Sequence, residues 1–151
     1  MRQLQRKAGI IHQISEKEES AILGGGVSQM KQSIRFAPPN SLFFIEDPKG
    51  GQSPEIDDRA VRIWSTRSCI IVASLCFMDG ETELTASTSA SDAPSTLPTF
   101  EGMLDTPSGV VEISTSELEV LLRFEIKTHF TRVRVWTDRP VEPHHIEIVF
   151  G

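Results

Sequence analysis

From residue 41 onward, apolar side chains recur every second residue in short runs that are broken by Pro, Gly, Asp, Asn and Ser. A strand sends successive side chains to opposite faces, so such a run is apolar on one face and polar on the other. A helix would need apolar positions three and four apart, which the body does not sustain. The runs are Ser41–Glu46, Ala60–Trp64, Cys69–Met78, Glu81–Ser87, Val120–Ile126, Phe130–Trp136 and His145–Phe150, with Thr99–Leu104 as a further candidate. Asp47–Pro54 and Pro107–Gly109 carry turn chemistry, and Asp79-Gly80 is a hairpin signal between the third and fourth runs. Seven or eight short strands without a long helix predict an all-β fold, an antiparallel β-sandwich, with a partly open β-barrel as the alternative.

Within the runs the inward faces can be named. Val120, Leu122, Phe124 and Ile126 share one face of their run. Thr131, Val133 and Val135 oppose Arg132, Arg134 and Trp136, and Ile146, Ile148 and Phe150 point inward on the last run. Residues 87–98 are Ser, Thr, Ala, Asp and Pro with one Leu; a core cannot be built from them, so a long exposed loop is expected.

Residues 1–40 differ from the rest. They hold six Lys/Arg against three Glu, whereas residues 41–151 hold nine basic and eighteen acidic residues. A basic N-terminal arm, 1–40, is therefore expected ahead of an acidic body, 41–151. The arm could form a short amphipathic helix with Leu4, Ala8, Ile11 and Ser15 on one face, followed by joints at Gly24-Gly25-Gly26 and Pro38-Pro39.

Charge and composition exclude several function classes. A net charge of −6 disfavours direct nucleic-acid binding, which usually goes with a basic patch. No apolar run approaches the roughly 18 residues of a membrane span, so no membrane partner is expected. Cys69 and Cys76 lie seven residues apart on one run, which sends them to opposite faces of a strand, too far apart for a disulfide. Two reduced thiols, with no apolar segment after Arg2, Arg6 and Lys7 to act as a secretory signal, make a cytoplasmic location the expectation.

Catalytic patterns are weak. There is no G-x-S-x-G elbow and no phosphate-loop order around the triple glycine. Glu142-Pro-His144-His145-Ile-Glu147 gathers ligand types, but a zinc site needs three or four ligands and no second cluster completes it. The expectation is a protein that is not an enzyme and needs no cofactor or metal.

One internal echo stands out. Val61-Arg62-Ile63-Trp64-Ser65-Thr66-Arg67 and Val133-Arg134-Val135-Trp136-Thr137-Asp138-Arg139 both fit V-R-[IV]-W-[ST]-x-R. Arg and Trp then share a strand face, where a cation–π contact can form. Both residue types are enriched at binding hot spots. The echo is also what two edge or near-edge strands with one packing solution would show. The candidate partner-binding residues are Trp64, Arg62, Trp136 and Arg134, with acidic support from Asp57, Asp58, Glu81 and Glu83. Acidic groups attract basic proteins and speed encounter.

The segments Gly109-Val-Val-Glu-Ile113, Phe124-Glu-Ile126 and Val133-Arg-Val-Trp136-Thr137 ahead of a final strand resemble the competence-J type DNA-entry nuclease inhibitors, small β-rich bacterial proteins. The resemblance covers the C-terminal third. Thr131 stands where that family would have an aromatic residue, and the arm and the Ser/Thr loop look like additions. The resemblance implies a protein that binds and silences a nuclease, with no catalytic residues to carry over. Together these readings lead to a non-enzymatic protein-binding module, an inhibitor or immunity-type protein whose partner is a basic nuclease or toxin. The alternative is a structural or assembly subunit, of a phage or another oligomer, that uses its arm for homo-oligomer contacts.

Overall fold

A computed structural model describes residues 30–57 and 61–151. Among the described residues there are ten strands: β1 (Lys31–Phe36), β2 (Leu42–Glu46), β3 (Ile63–Ser65), β4 (Cys69–Ala73), β5 (Thr82–Ser87), β6 (Phe100–Asp105), β7 (Val110–Ser114), β8 (Val120–Glu125), β9 (Phe130–Thr137) and β10 (His145–Phe150). The only helical segments described are two single 3₁₀ turns, Pro39–Ser41 and Ala90–Asp92. None of the described residues forms a helix long and apolar enough to cross a membrane.

The strands form two five-stranded sheets, β1-β5-β10-β9-β6 and β3-β4-β2-β7-β8. They are separate sheets facing one another, so the sandwich is the fold and the barrel alternative does not form. All pairings are antiparallel except β5 with β10, which run parallel with Leu84 opposite Ile146. The core lies between the sheets. Ile34, Leu84, Val133, Val135, Ile146, Ile148 and Phe150 from the first sheet meet Phe43, Ile45, Ile70, Val72, Val111, Ile113, Leu122 and Phe124 from the second. Phe124 and Phe150 meet at a centroid distance of 5.5 Å with tilted rings, a favourable aromatic geometry.

Two local expectations change. Asp79-Gly80 does not close a hairpin, because β4 and β5 belong to different sheets. The apolar run from Cys69 leaves its sheet at Ala73, and residues 74–81 cross to the other sheet. Leu75 N–H is satisfied there by Pro143 O at 3.1 Å and Thr82 Oγ1 at 3.3 Å, contacts from outside its own run. Lys31–Phe36, within the segment read as an arm, forms β1 and pairs along its length with β5. Its Gln32, at an inward position, is fully buried and donates from Nε2 to Arg123 O of β8 at 3.1 Å, which ties the two sheets at one side. The helix expected around Leu4–Ser15 lies outside the described residues.

Candidate functional site

Alternation along β9 puts Val133 and Val135 in the core and turns Arg132, Arg134 and Trp136 to the outer face of the first sheet. Register carries this face across the sheet: Trp136 lies opposite Glu147, Arg134 opposite Val149, and His145 opposite Glu83. The Arg134 guanidinium sits 5.5 Å from the Trp136 ring centroid, so the predicted cation–π pair forms. Arg134 also donates from Nη2 to Gly151 O at 2.9 Å. His145 Nδ1 lies 3.0 Å from Glu83 Oε1, and its Nε2 lies 4.0 Å from Glu147 Oε1.

The Ser/Thr-rich segment after β5 is fastened rather than loose. Asp92 accepts from Ser87 Oγ, Ser89 N–H donates to Ser87 Oγ at 3.0 Å, and Trp136 Nε1 donates to Thr96 O at 3.0 Å. Trp136 is consequently 8% exposed and Val149 fully buried, although both point away from the core. Apolar content alone could not reveal this, because the segment covers the sheet through hydroxyl and carbonyl bonds.

The other half of the echo is built differently. β3 is an edge strand and β9 is second from an edge. Ile63 packs on the core, which turns Trp64 to the outer face of the second sheet, among Cys69, Ile71 and Ala73 with Leu42 and Phe44. Trp64 is also 8% exposed. The two tryptophans therefore lie on opposite outer faces of the sandwich and do not join into one surface, and Arg62, just ahead of β3, lines a depression with Thr99, Phe100 and Pro140. Asp57 is exposed ahead of β3, Asp58 lies outside the described residues, and Glu81 is exposed just before β5. Of the candidate residues, Glu83, Arg134 and Trp136 share one face, with Glu81 at its margin.

Titratable groups are perturbed mainly by packing. Burial pushes the Cys69 thiol up to about 12, helped by the nearby Glu46 carboxylate. Burial likewise raises Glu46, against a hydrogen bond with Cys69 that lowers it, and Glu112 adds to the rise. Such a thiol stays protonated at neutral pH and is a poor nucleophile. Among the described residues no group of three or more His, Cys, Asp or Glu could hold a metal ion.

No family model matches the chain, and no curated protein sequence matches it. Its fold is similar to that of ComJ from Bacillus subtilis, an inhibitor of the DNA degrading activity of NucA. The two are 9% identical, the match covers 80% of this chain and 91% of ComJ, and the TM-score is 0.54. A second solved structure, crocagin biosynthetic gene J, matches at 13% identity over 82% of this chain and 97% of its own, with a TM-score of 0.48. The resemblance read from the C-terminal third is thus a likeness of fold that extends over most of the chain.

Proposed function

We propose that this protein acts by binding another protein and inhibiting it, and that the target is a nuclease. The observation that carries this reading is the match of the sandwich to nine-tenths of a protein whose described action is inhibition of a DNA-degrading enzyme. The acidic body supports it. Residues 41–119 hold four basic residues against fourteen acidic ones. A surface of that sign is repelled by nucleic acid and drawn to the basic cleft that holds nucleic acid on a nuclease. Asp57, Glu81 and Glu83 contribute to this field, while the Arg134–Trp136 stack holds the outer face of the first sheet in shape.

The test is capture and activity together. The tagged chain is passed through lysate of its native host at low and high salt, bound proteins are identified by mass spectrometry, and DNA degradation by the captured protein is measured with increasing amounts of the chain. A stoichiometric nuclease that salt releases, and whose activity the chain suppresses, is the expected result. Recovery of the chain alone as a concentration-dependent oligomer that dissociates on removal of residues 1–29, which leaves β1 in place, would replace inhibition with assembly.

A further inference from the structure

The two ends of the sandwich are built unlike one another. At one end, the loops 37–41, 74–81, 115–119 and 138–144 are bonded into a single platform. Phe77 N–H donates to Ser41 Oγ at 2.9 Å, Asn40 Nδ2 to Ser116 Oγ at 2.9 Å, and Leu75 N–H to Pro143 O at 3.1 Å. This platform exposes four large apolar side chains: Met78 at 78%, Leu118 at 75%, Val141 at 59% and Phe77 at 48%. Around them stand Asp79, Glu81, Glu117, Asp138 and Glu142, with Arg139 as the cation in these loops. The opposite end, in loops 47–50, 66–68, 105–109 and 126–129, carries Lys49, Arg67 and Lys127 against Asp47 and Asp105.

Backbone strain gathers at the same acidic end. Among the described residues, five other than glycine have positive φ, and four of them are Asn40 (59°), Ser41 (58°), Leu118 (66°) and Glu142 (51°). A branched apolar side chain gains nothing from a left-handed backbone or from water, and such conformations persist only where the surrounding structure fixes them. Leu118 is thus kept outward in a turn, Leu118 N–H to Thr115 O at 2.9 Å, that a glycine would adopt more easily.

We propose that this loop platform is the docking surface of the protein, with Phe77, Met78, Leu118 and Val141 as its apolar centre. Its occupant is a protein that offers an apolar depression rimmed by Lys and Arg. An apolar centre that excludes water inside a charged rim is the arrangement in which a few side chains carry most of the binding energy, while the rim sets on-rate and partner choice. The proposal rests on the reading of the chain as an inhibitor and names the surface through which it acts.

The test uses the full chain and the nuclease captured from its native host. Variants are Leu118→Gly, the pair Phe77→Ser/Met78→Ser, and the pair Asp79→Lys/Glu81→Lys, with Phe130→Ser, an exposed apolar residue at the far end, as a charge-neutral control. Leu118→Gly is the decisive one, because it removes the side chain while relieving the backbone. Its melting temperature should hold or rise while affinity falls about 10-fold. The apolar pair should weaken binding about 100-fold. The charge pair should slow association and flatten its salt dependence, and the control should bind as wild type. Hydrogen exchange in the complex should protect residues 74–81, 115–119 and 138–144. Full inhibition and wild-type affinity from the folded platform variants would overturn the docking surface and leave the inhibitor reading standing. A wild-type chain that captures and inhibits no nuclease would overturn both.

Discussion

Asp47 shows how one buried carboxylate can fasten two turns. It is 1% exposed at the end of β2 and accepts from Lys49 N–H at 2.8 Å, Ser108 N–H at 2.8 Å and Ser108 Oγ at 2.6 Å. Burial pushes its pKa up, but these bonds outweigh burial and hold the carboxyl below the usual range. A depressed carboxyl stabilises the fold above its unfolded pKa, about 3.9, and loses that contribution as pH falls through the folded value. Asp47→Asn should therefore cost about 2 kcal/mol at neutral pH, with the gap to wild type closing below about pH 4. Urea unfolding at pH 7 and pH 3 measures both. The cysteines separate at the same scale. Cys69 is fully buried with its thiol held protonated, whereas Cys76 is partly exposed. Iodoacetamide should label Cys76 in the native protein and reach Cys69 only on unfolding, as peptide mass mapping would show.

At the scale of elements, the segment from Ser87 to Thr99 acts as a cover on the first sheet. Trp136 is the post to which it is tied, through Thr96 O, and Arg134 of the same strand stacks on its ring. Trp136→Ala should cost about 3 kcal/mol and should open residues 88–98 to proteases, whereas Trp136→Phe, which keeps an aromatic ring and loses the Nε1 bond, should lie between. Limited proteolysis alongside denaturant melts distinguishes these outcomes. An exposed anchor would behave otherwise, leaving stability unchanged on truncation. The turn before β7 has a comparable point at Gly109, where φ is +74° and the carbonyl accepts from both Ile126 and Lys127 N–H. Gly109→Ala is expected to destabilise by about 1 kcal/mol.

Over the whole molecule, the feature that matters is the separation of charge along the sandwich axis. Among the described residues, one end gathers carboxylates and exposed apolar side chains, and the loops of the other carry basic and acidic groups in near balance. A charge dipole of this kind orients the molecule as it approaches a basic partner. Association with such a partner should slow at least about 10-fold between 50 and 500 mM salt while dissociation changes little. Stopped-flow mixing reads the two rates separately, and a salt-independent association rate would remove electrostatic orientation from the account.

Alternation of side chains makes the body legible in the sequence alone. It identifies the inner faces of β9 and β10, Leu122 and Phe124 of β8, and the sandwich class, because period-two burial is a local property that each strand carries in its own residues; at the start of β8 an irregularity in the pairing with β7 breaks the alternation, and Leu121 enters the core in place of Val120. The stacking of Arg134 on Trp136 follows from the same alternation. The sequence does not assign strands to sheets. β4 and β5 look like a hairpin around Asp79-Gly80, yet they part because the bonds that hold residues 74–82 come from Ser41 and Pro143, far along the chain. β1 is hidden for a related reason: its inward Gln32 is polar, and the partners of its buried Nε2, Met30 Sδ and the carbonyl of Arg123 on the facing sheet, become visible only in the folded chain. The separation of Trp64 from Trp136 and the convergence of four loops at one end are likewise decided by tertiary structure. Which residues meet across a sandwich depends on sheet order, and sheet order is set by long-range contacts that no single run of residues encodes.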